Sequence, residues 1–340
     1  HKNKEQIHKN VYSEKEEGSK VRISASYSDY EEGYAVASAI NELRLRKDYD
    51  YADFAILYRT NAQSRIFEEK FVTANIPYKI VGGINFYARR EIKDLLCYLK
   101  TIDNGKDDLA VRRVINVPKR GIGLTSINRV QDYAAAYDIG FYDALLSADA
   151  IPNIGRGLSK LESFVALIEH FKVDAKDMTL SDRMQEILDV TGYIDSLMAE
   201  GPEEAEARIE NIDELRSKIA TYEETCEENN EPATLNGFLE EVALVADIDS
   251  LDEDTDYVVL MTLHSAKGLE FSHVYLAGLE DGIFPSYMTI TADSPEELEE
   301  ERRLCYVGIT RAEEELTLTC ARRRMIRGET QYNKISRFLK

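Results

Sequence analysis

The sequence predicts an α/β fold, a parallel sheet domain carrying a large all-α inserted domain, on three observations. Phe54–Tyr58, Val258–Leu263 and His273–Gly278 are apolar runs without polar alternation, the pattern of strands buried on both faces of a parallel sheet. The first 84 residues read strand–helix–strand–helix–strand, an order that favours crossover helices over hairpins. From Asn85 to about Asp249 the apolar residues recur only at helical spacing. Residues 1–84 and 251–340 are therefore expected to form one sheet domain, because neither half supplies enough strands to close a core alone, with 85–250 inserted into it.

Element by element, residues 1–20 are polar and weakly periodic, and an opening His1 in place of Met suggests a piece of a longer protein. Val21–Ala25 reads as a short strand, and Glu31–Leu45 as an amphipathic helix through Val36, Ile40 and Leu43. After the strand Phe54–Tyr58, Ser64 is expected to cap a helix whose Ile66, Phe67 and Phe71 face inward. Pro77 ends that helix, and Tyr78–Val81 forms a strand closed by Gly82-Gly83. In the insertion, Ile92, Leu95, Leu96, Leu99 and Ile102 mark one helix, and Leu158, Leu161, Phe164, Val165, Ile168 and Phe171 another. Three further helical stripes follow, about Met184–Leu188, Ile209–Ile219 and Leu235–Val242, before an acidic connector, Asp247–Asp256. Ser294 with Glu297 predicts a capping box, and Pro295 suits the first helical position. On that last helix, Leu298, Cys305, Ile309 and Ala312 are expected to face the core, with Arg311 on another face before a strand Glu315–Cys320.

At 340 residues, with 44% hydrophobic and 31% charged, the composition is that of a soluble globular protein of two domains. It contains no apolar run of about 18 residues, and no membrane partner is expected. Cys97, Cys226, Cys305 and Cys320 have no paired spacing, which predicts reduced core thiols in a cytoplasmic protein and no metal site. The net charge of −21 excludes a general nucleic-acid coat protein, so a polyanion must use local basic clusters such as Arg89–Lys93, Arg112–Arg120 and Arg322–Arg327.

Chemistry concentrates after the strand Val258–Leu263, where Thr262, His264, Ser265, Lys267, Gly268 and Glu270 follow one another. Ligands of open α/β sheets sit at the carboxyl ends of strands, so these residues and Arg311 are expected to line a crevice there. Arginine suits an anion because its planar fork makes two charge-assisted bonds; a surface ion pair with a neighbouring glutamate is the alternative. In the insertion, Val117-Pro-Lys-Arg-Gly-Ile-Gly123 leads into a helix that Thr125 is expected to cap, a geometry that offers backbone amides to phosphate. A Gly-Ile-Gly turn is equally compatible with plain loop geometry.

The segments YRTNAQSR, TLHSAKGLEF, EDGIFP and EEERRLCYVGITRA resemble motifs of superfamily 1 DNA helicases of the UvrD/PcrA/Rep kind, in the same order around a helical insertion. The likeness extends to NIPYKIVGG, REIKDLLCYL and INVPKRGIG. It implies that the sheet unit is a second RecA-like motor domain and the insertion an accessory domain of an ATP-dependent 3′-to-5′ helicase acting in DNA repair and replication. Arg311 then resembles the arginine finger, Glu270 a nucleotide-sugar contact, and Gly268 a point of close approach to ATP. Arg59 and Asn61 resemble single-strand contacts, while Thr262 and His264 resemble groups between the ATP cleft and DNA. Lys119, Arg120, Gly121 and Gly123 would face duplex DNA. Ser286, where some relatives have His, and Arg327, where an aromatic is common, are further DNA candidates.

No G-x-x-x-x-G-K-[ST] loop occurs, so ATP and Mg²⁺ would be held mainly by an N-terminal motor domain, and this chain alone would be inactive. Implied partners are that domain, single-stranded DNA and its junction with duplex, and repair or transcription proteins; the implied location is cytoplasmic and nucleoid-associated. Two other readings stay open: a non-catalytic DNA-binding or protein-docking module, and a subunit of a RecB/AddA-type helicase–nuclease.

Overall fold

A computed structural model describes residues 18–47, 49–173, 178–246, 255–292 and 294–339. The expectations for residues 1–17 and for 247–254 of the acidic connector fall outside these. The chain divides into two compact units, 1–86 with 247–340, and 87–246.

In the first unit, β1 (Arg22–Ser28), α1 (Asp29–Lys47), β2 (Phe54–Tyr58), α2 (Ser64–Thr73) and β3 (Tyr78–Val81) precede the second unit. That second unit holds α3 (Arg90–Asp103), α4 (Asp108–Val114), α5 (Leu124–Tyr137), α6 (Phe141–Leu146), α7 (Leu158–Val173), α8 (Leu180–Thr191), α9 (Tyr193–Glu200), α10 (Pro202–Glu228) and α11 (Leu235–Ala246). The chain then returns through β4 (Val258–Thr262), β5 (Phe271–Leu276), α12 (Tyr287–Thr291), α13 (Pro295–Ile309), β6 (Ala312–Ile326) and β7 (Glu329–Tyr332).

The sheet order is β1-β6-β5-β2-β4-β3, parallel throughout, with β7 antiparallel on β6. Strands from before and after the insertion are interleaved in the sheet: β2 lies between β5 and β4, and β1 pairs with β6. The apolar runs behave as their pattern demands. Ile56, Tyr58 and Leu260 pack under Val36, Ile40, Phe67 and Phe71 of α1 and α2, while Ala55, Leu57 and Met261 pack on the opposite face with Cys305 of α13. Burial pushes the Cys305 thiol up to about 12, which leaves it a small apolar filler.

Several local expectations are corrected. Ser64 does not cap α2: Gln63 holds that position, and the buried Ser64 hydroxyl donates to Glu68 at 2.6 Å. Ser294 is the N-cap of α13, and Pro295 opens the helix, but no capping box forms, because the Ser294 hydroxyl turns to Glu296 at 3.0 Å. The buried face of α13 is Glu301, Cys305 and Gly308, and Ile309 is 38% exposed. Gly308 is required there, since a Cβ would come within 2.5 Å of the Leu263 side chain. The last long strand runs on past Cys320 to Ile326, and a two-residue turn, Arg327-Gly328, joins it to β7 with both residues at positive φ.

The helical unit is cross-linked by buried polar pairs rather than by apolar contact alone. Asp94 of α3 accepts from Arg113 at 2.6 Å and from the Tyr193 hydroxyl at 2.7 Å, tying α4 and α9 to α3. Asn211 of α10 bonds both Arg89 and Glu91 at 2.6 Å.

Candidate functional site

Parallel strands give the sheet a carboxyl edge and an amino edge, and the predicted residues divide between the two. Arg59 and Asn61 follow β2, and Thr262 and His264 stand at the end of β4, all at the carboxyl edge. Arg311 and Glu270 instead precede the first residues of β6 and β5, which pair as Phe271 with Ala312 at the amino edge. The single carboxyl-edge crevice expected from the sequence is therefore corrected. The eight residues from Leu263 to Glu270 carry the chain back down the sheet, and α13 makes the same crossing before β6.

At the amino edge the Arg311 guanidinium is half-buried and meets no carboxylate among the described residues. Its Nη1 donates to the Leu269 carbonyl at 2.8 Å, Nε to Val307 O at 3.0 Å, and Nη2 to the Thr310 hydroxyl at 3.1 Å. The Phe271 amide in turn donates to Arg311 O at 2.9 Å, so side chain and backbone both hold the segment 269–271. Glu270 is exposed, with its carboxylate free of any ion pair or hydrogen bond among the described residues. Gly268 sits at φ +89°, a conformation that favours glycine, and no atom lies within 4 Å of where a Cβ would be. Its need is thus conformational, and the space beside it is open. A fixed guanidinium, an exposed carboxylate and an open glycine leave this edge able to meet an anion and hydrogen-bond donors from outside the chain.

The carboxyl edge is wired differently. Gln63 Oε1 accepts from the Arg59 and Thr60 amides at 2.9 and 3.0 Å, which shapes the turn after β2. Asn61, exposed in that turn, brings Oδ1 to 3.4 Å from the Cβ position of Gly83. The Thr262 hydroxyl lies 3.1 Å from that of Ser265 and accepts the Ser265 amide at 3.3 Å. The Arg59 side chain ends on Glu301 of α13, with Nε and Nη2 each 2.7 Å from Oε1. Sequence reasoning missed Glu301. Its signal was the helical spacing to Cys305 and Gly308, which places a carboxylate on the buried stripe.

His264 stands in the field of these groups. Partial burial lowers its pKa, Arg59 lowers it further, and Glu301 and Glu300 oppose them without prevailing. A depressed folded-state pKa favours the neutral imidazole. The stability it contributes is present above the ordinary value of about 6.5 and is lost as pH falls through the lower folded value. The melting temperature should accordingly drop more steeply below pH 6.5 in the native chain than in His264→Gln; superimposable acid limbs would refute the assignment.

The remaining candidates sit apart. Ser286 is the N-cap of α12, its hydroxyl accepting the Thr289 amide at 3.1 Å. Arg327 is at the tip of the β6–β7 hairpin with φ +58°. In the helical unit, Gly123, not Thr125, is the N-cap of α5. Lys119 is exposed, but the Arg120 side chain is spent inside the unit: Nη1 donates to Val114 O at 2.8 Å and Val117 O at 3.1 Å, and Nη2 to the Tyr98 hydroxyl. Arg120 therefore shapes the loop. Gly121, at φ +69°, receives Lys160 Nζ on its carbonyl at 2.7 Å, bringing a second lysine to the loop.

The fold defines the class first: a parallel α/β domain interrupted between β3 and β4 by a helical unit. The chain belongs to the UvrD-like helicase C-terminal domain family, whose profile matches residues 1–323. It is 43% identical over 337 residues to the ATP-dependent DNA helicase PcrA of Bacillus subtilis (strain 168), covering 97% of this chain and 45% of that protein. It is likewise 43% identical to PcrA of Staphylococcus epidermidis and 42% to that of Staphylococcus aureus (strain Mu50), over 338 residues in each case, 99% of this chain and 46% of theirs. The chain thus spans just under half the length of these relatives.

Proposed function

We propose that this chain is the second motor domain, with its accessory insertion, of an ATP-dependent helicase that moves 3′ to 5′ along single-stranded DNA in repair and replication, in the cytoplasm and at the nucleoid. In this reading 1–84 with 251–340 form the motor unit and 85–250 the accessory unit. The observation that carries it is Arg311, seated on the Leu269 carbonyl between Gly268 and Glu270 with no carboxylate partner among the described residues. A guanidinium fixed by carbonyls keeps its full charge for an anion supplied from outside the chain.

ATP with Mg²⁺ supplies the phosphoryl group whose hydrolysis drives such motors. Here Arg311 would meet the γ-phosphate, Glu270 the sugar, and the open side of Gly268 the nucleotide's approach. Arg59, Asn61, Thr262 and His264 would form the strand surface, and Ser286 and Arg327 are further, separate strand contacts. In the accessory unit, Lys119 and the amides around Gly121 and Gly123 would take duplex phosphates, with Arg120 as their scaffold.

The 340 residues contain no phosphate loop, so the purified chain should show no ATP turnover. Adding an N-terminal motor domain that carries the phosphate loop should restore turnover stimulated by single-stranded DNA. Turnover by the chain alone that disappears in Arg311→Ala would overturn this division of the site.

A further inference from the structure

Glu301 is buried, at 6% exposure, in a helix whose other charged residues reach solvent or neighbours on the surface. One carboxylate oxygen takes the whole Nε–Nη2 edge of Arg59. The other, Oε2, is buried with no hydrogen-bond partner among the described residues. Leaving a carboxylate oxygen unsatisfied costs on the order of 1–3 kcal/mol or more, so stability alone does not explain a glutamate here. What the arrangement achieves is directional. With Nε and Nη2 engaged, Arg59 has lost its rotational freedom, and its Nη1, which makes no hydrogen bond among the described residues, is the part of the fork left over. The anchor is rigid, because α13 is pinned to the sheet through Cys305 and Gly308.

We propose that Glu301 is a positioning residue for strand binding: it holds the Arg59 fork so that the unoccupied Nη1 edge is presented to a DNA phosphate. The proposal rests on Arg59 being a strand contact, as in the function proposed above. It makes a prediction opposite in sign to that of net charge. Removing a carboxylate from a protein of charge −21 should, by electrostatics alone, tighten binding to a polyanion. Loss of positioning should weaken it.

The test uses the 340-residue chain and a fluorescently labelled oligodeoxythymidylate at low salt. Glu301→Gln should bind about tenfold more weakly than the native chain, the equivalent of one charge-assisted hydrogen bond. Glu301→Gln with Arg59→Ala should bind no more weakly than Arg59→Ala alone, because the two residues act as one unit. Proton NMR titration of His264 without DNA gives an independent readout. Glu301 and Glu300 raise that pKa against burial and Arg59, so Glu301→Gln should lower it further in a folded protein, which separates loss of this carboxylate from loss of the fold. If Glu301→Gln fails to fold, Glu301→Asp keeps the charge but withdraws it from Arg59, and should weaken binding to a similar degree. Equal or tighter binding by Glu301→Gln, with Arg59→Ala still impaired, overturns the positioning role alone. Unimpaired binding by Arg59→Ala, or no binding by the native chain, overturns the strand-contact reading and this proposal with it.

Discussion

In a motor reconstituted with the phosphate-loop domain, Arg311→Ala should lower ATP turnover by about 10³-fold, the lower end of what a γ-phosphate arginine contributes in other nucleotide hydrolases. The loss should fall on kcat rather than on KM, because the charge that a γ-phosphate arginine stabilises develops mainly in the transition state. Arg311→Lys should recover little. Lysine keeps the charge but not the fork, and its ammonium cannot reach Leu269 O, Val307 O and a phosphate at once. Stability should scarcely change. The bonds lost are to a half-exposed pair of carbonyls and a hydroxyl that water can serve, so the melting temperature should move by no more than roughly 4 °C, the equivalent of about 1 kcal/mol. Turnover unchanged within a factor of two would remove Arg311 from the nucleotide site. A large fall in melting temperature would show instead that its bonds to 269–271 are structural.

Much of the fold was legible in the sequence because it depends on periodicity. Runs such as Phe54–Tyr58 must be buried on both faces, and they are; the helical stripes of the insertion likewise fold as helices. What composition and spacing could not tell was at which edge of the sheet a residue emerges. Gly268 and Glu270 follow β4 in sequence, so a rule about carboxyl ends assigns them there. Whether a short connection returns to the opposite edge depends on the strand it must start, and β5 begins low, opposite Ala312. Arg120 was misjudged for a related reason: a basic residue in a glycine-bearing loop reads as exposed, and only three-dimensional packing brings three carbonyls and Tyr98 around it. Buried charge was the third omission. Glu301 and Glu32 both lie on apolar helical stripes, where a carboxylate must find a partner, and the sequence does not name that partner.

For Glu32 the partner is Arg324, and replacing it should have the largest effect on stability. Glu280, Glu32 and Arg324 are 0%, 2% and 8% exposed. Arg324 donates to Glu280 from Nε at 2.8 Å and from Nη2 at 2.7 Å, and Nη2 also meets Glu32. Burial alone would lower the arginine pKa; the two carboxylates outweigh it and hold the guanidinium well above its ordinary value, charged at any working pH. Arg324→Met would leave two carboxylates facing each other in the core without a cation. The expected loss is about 3–5 kcal/mol, a fall of roughly 10 °C or more in melting temperature. Adding Glu32→Gln and Glu280→Gln to Arg324→Met should recover part of it, since the amides are uncharged yet still accept the Gly278 amide at 3.1 Å and the Ala321 amide at 2.6 Å. Leucine at both positions should recover less, because those amides would then be buried unpaired. Urea denaturation of the four proteins gives the order directly, and a loss below 1 kcal/mol for Arg324→Met would mean that the carboxylates find protons or water instead. The triad joins α1, the exit of β5 and the long strand β6, the strand that begins beside Arg311. Its loss should therefore also reduce turnover in the reconstituted motor, but only in proportion to the fraction unfolded, whereas Arg311→Ala should lower turnover in a protein that stays folded.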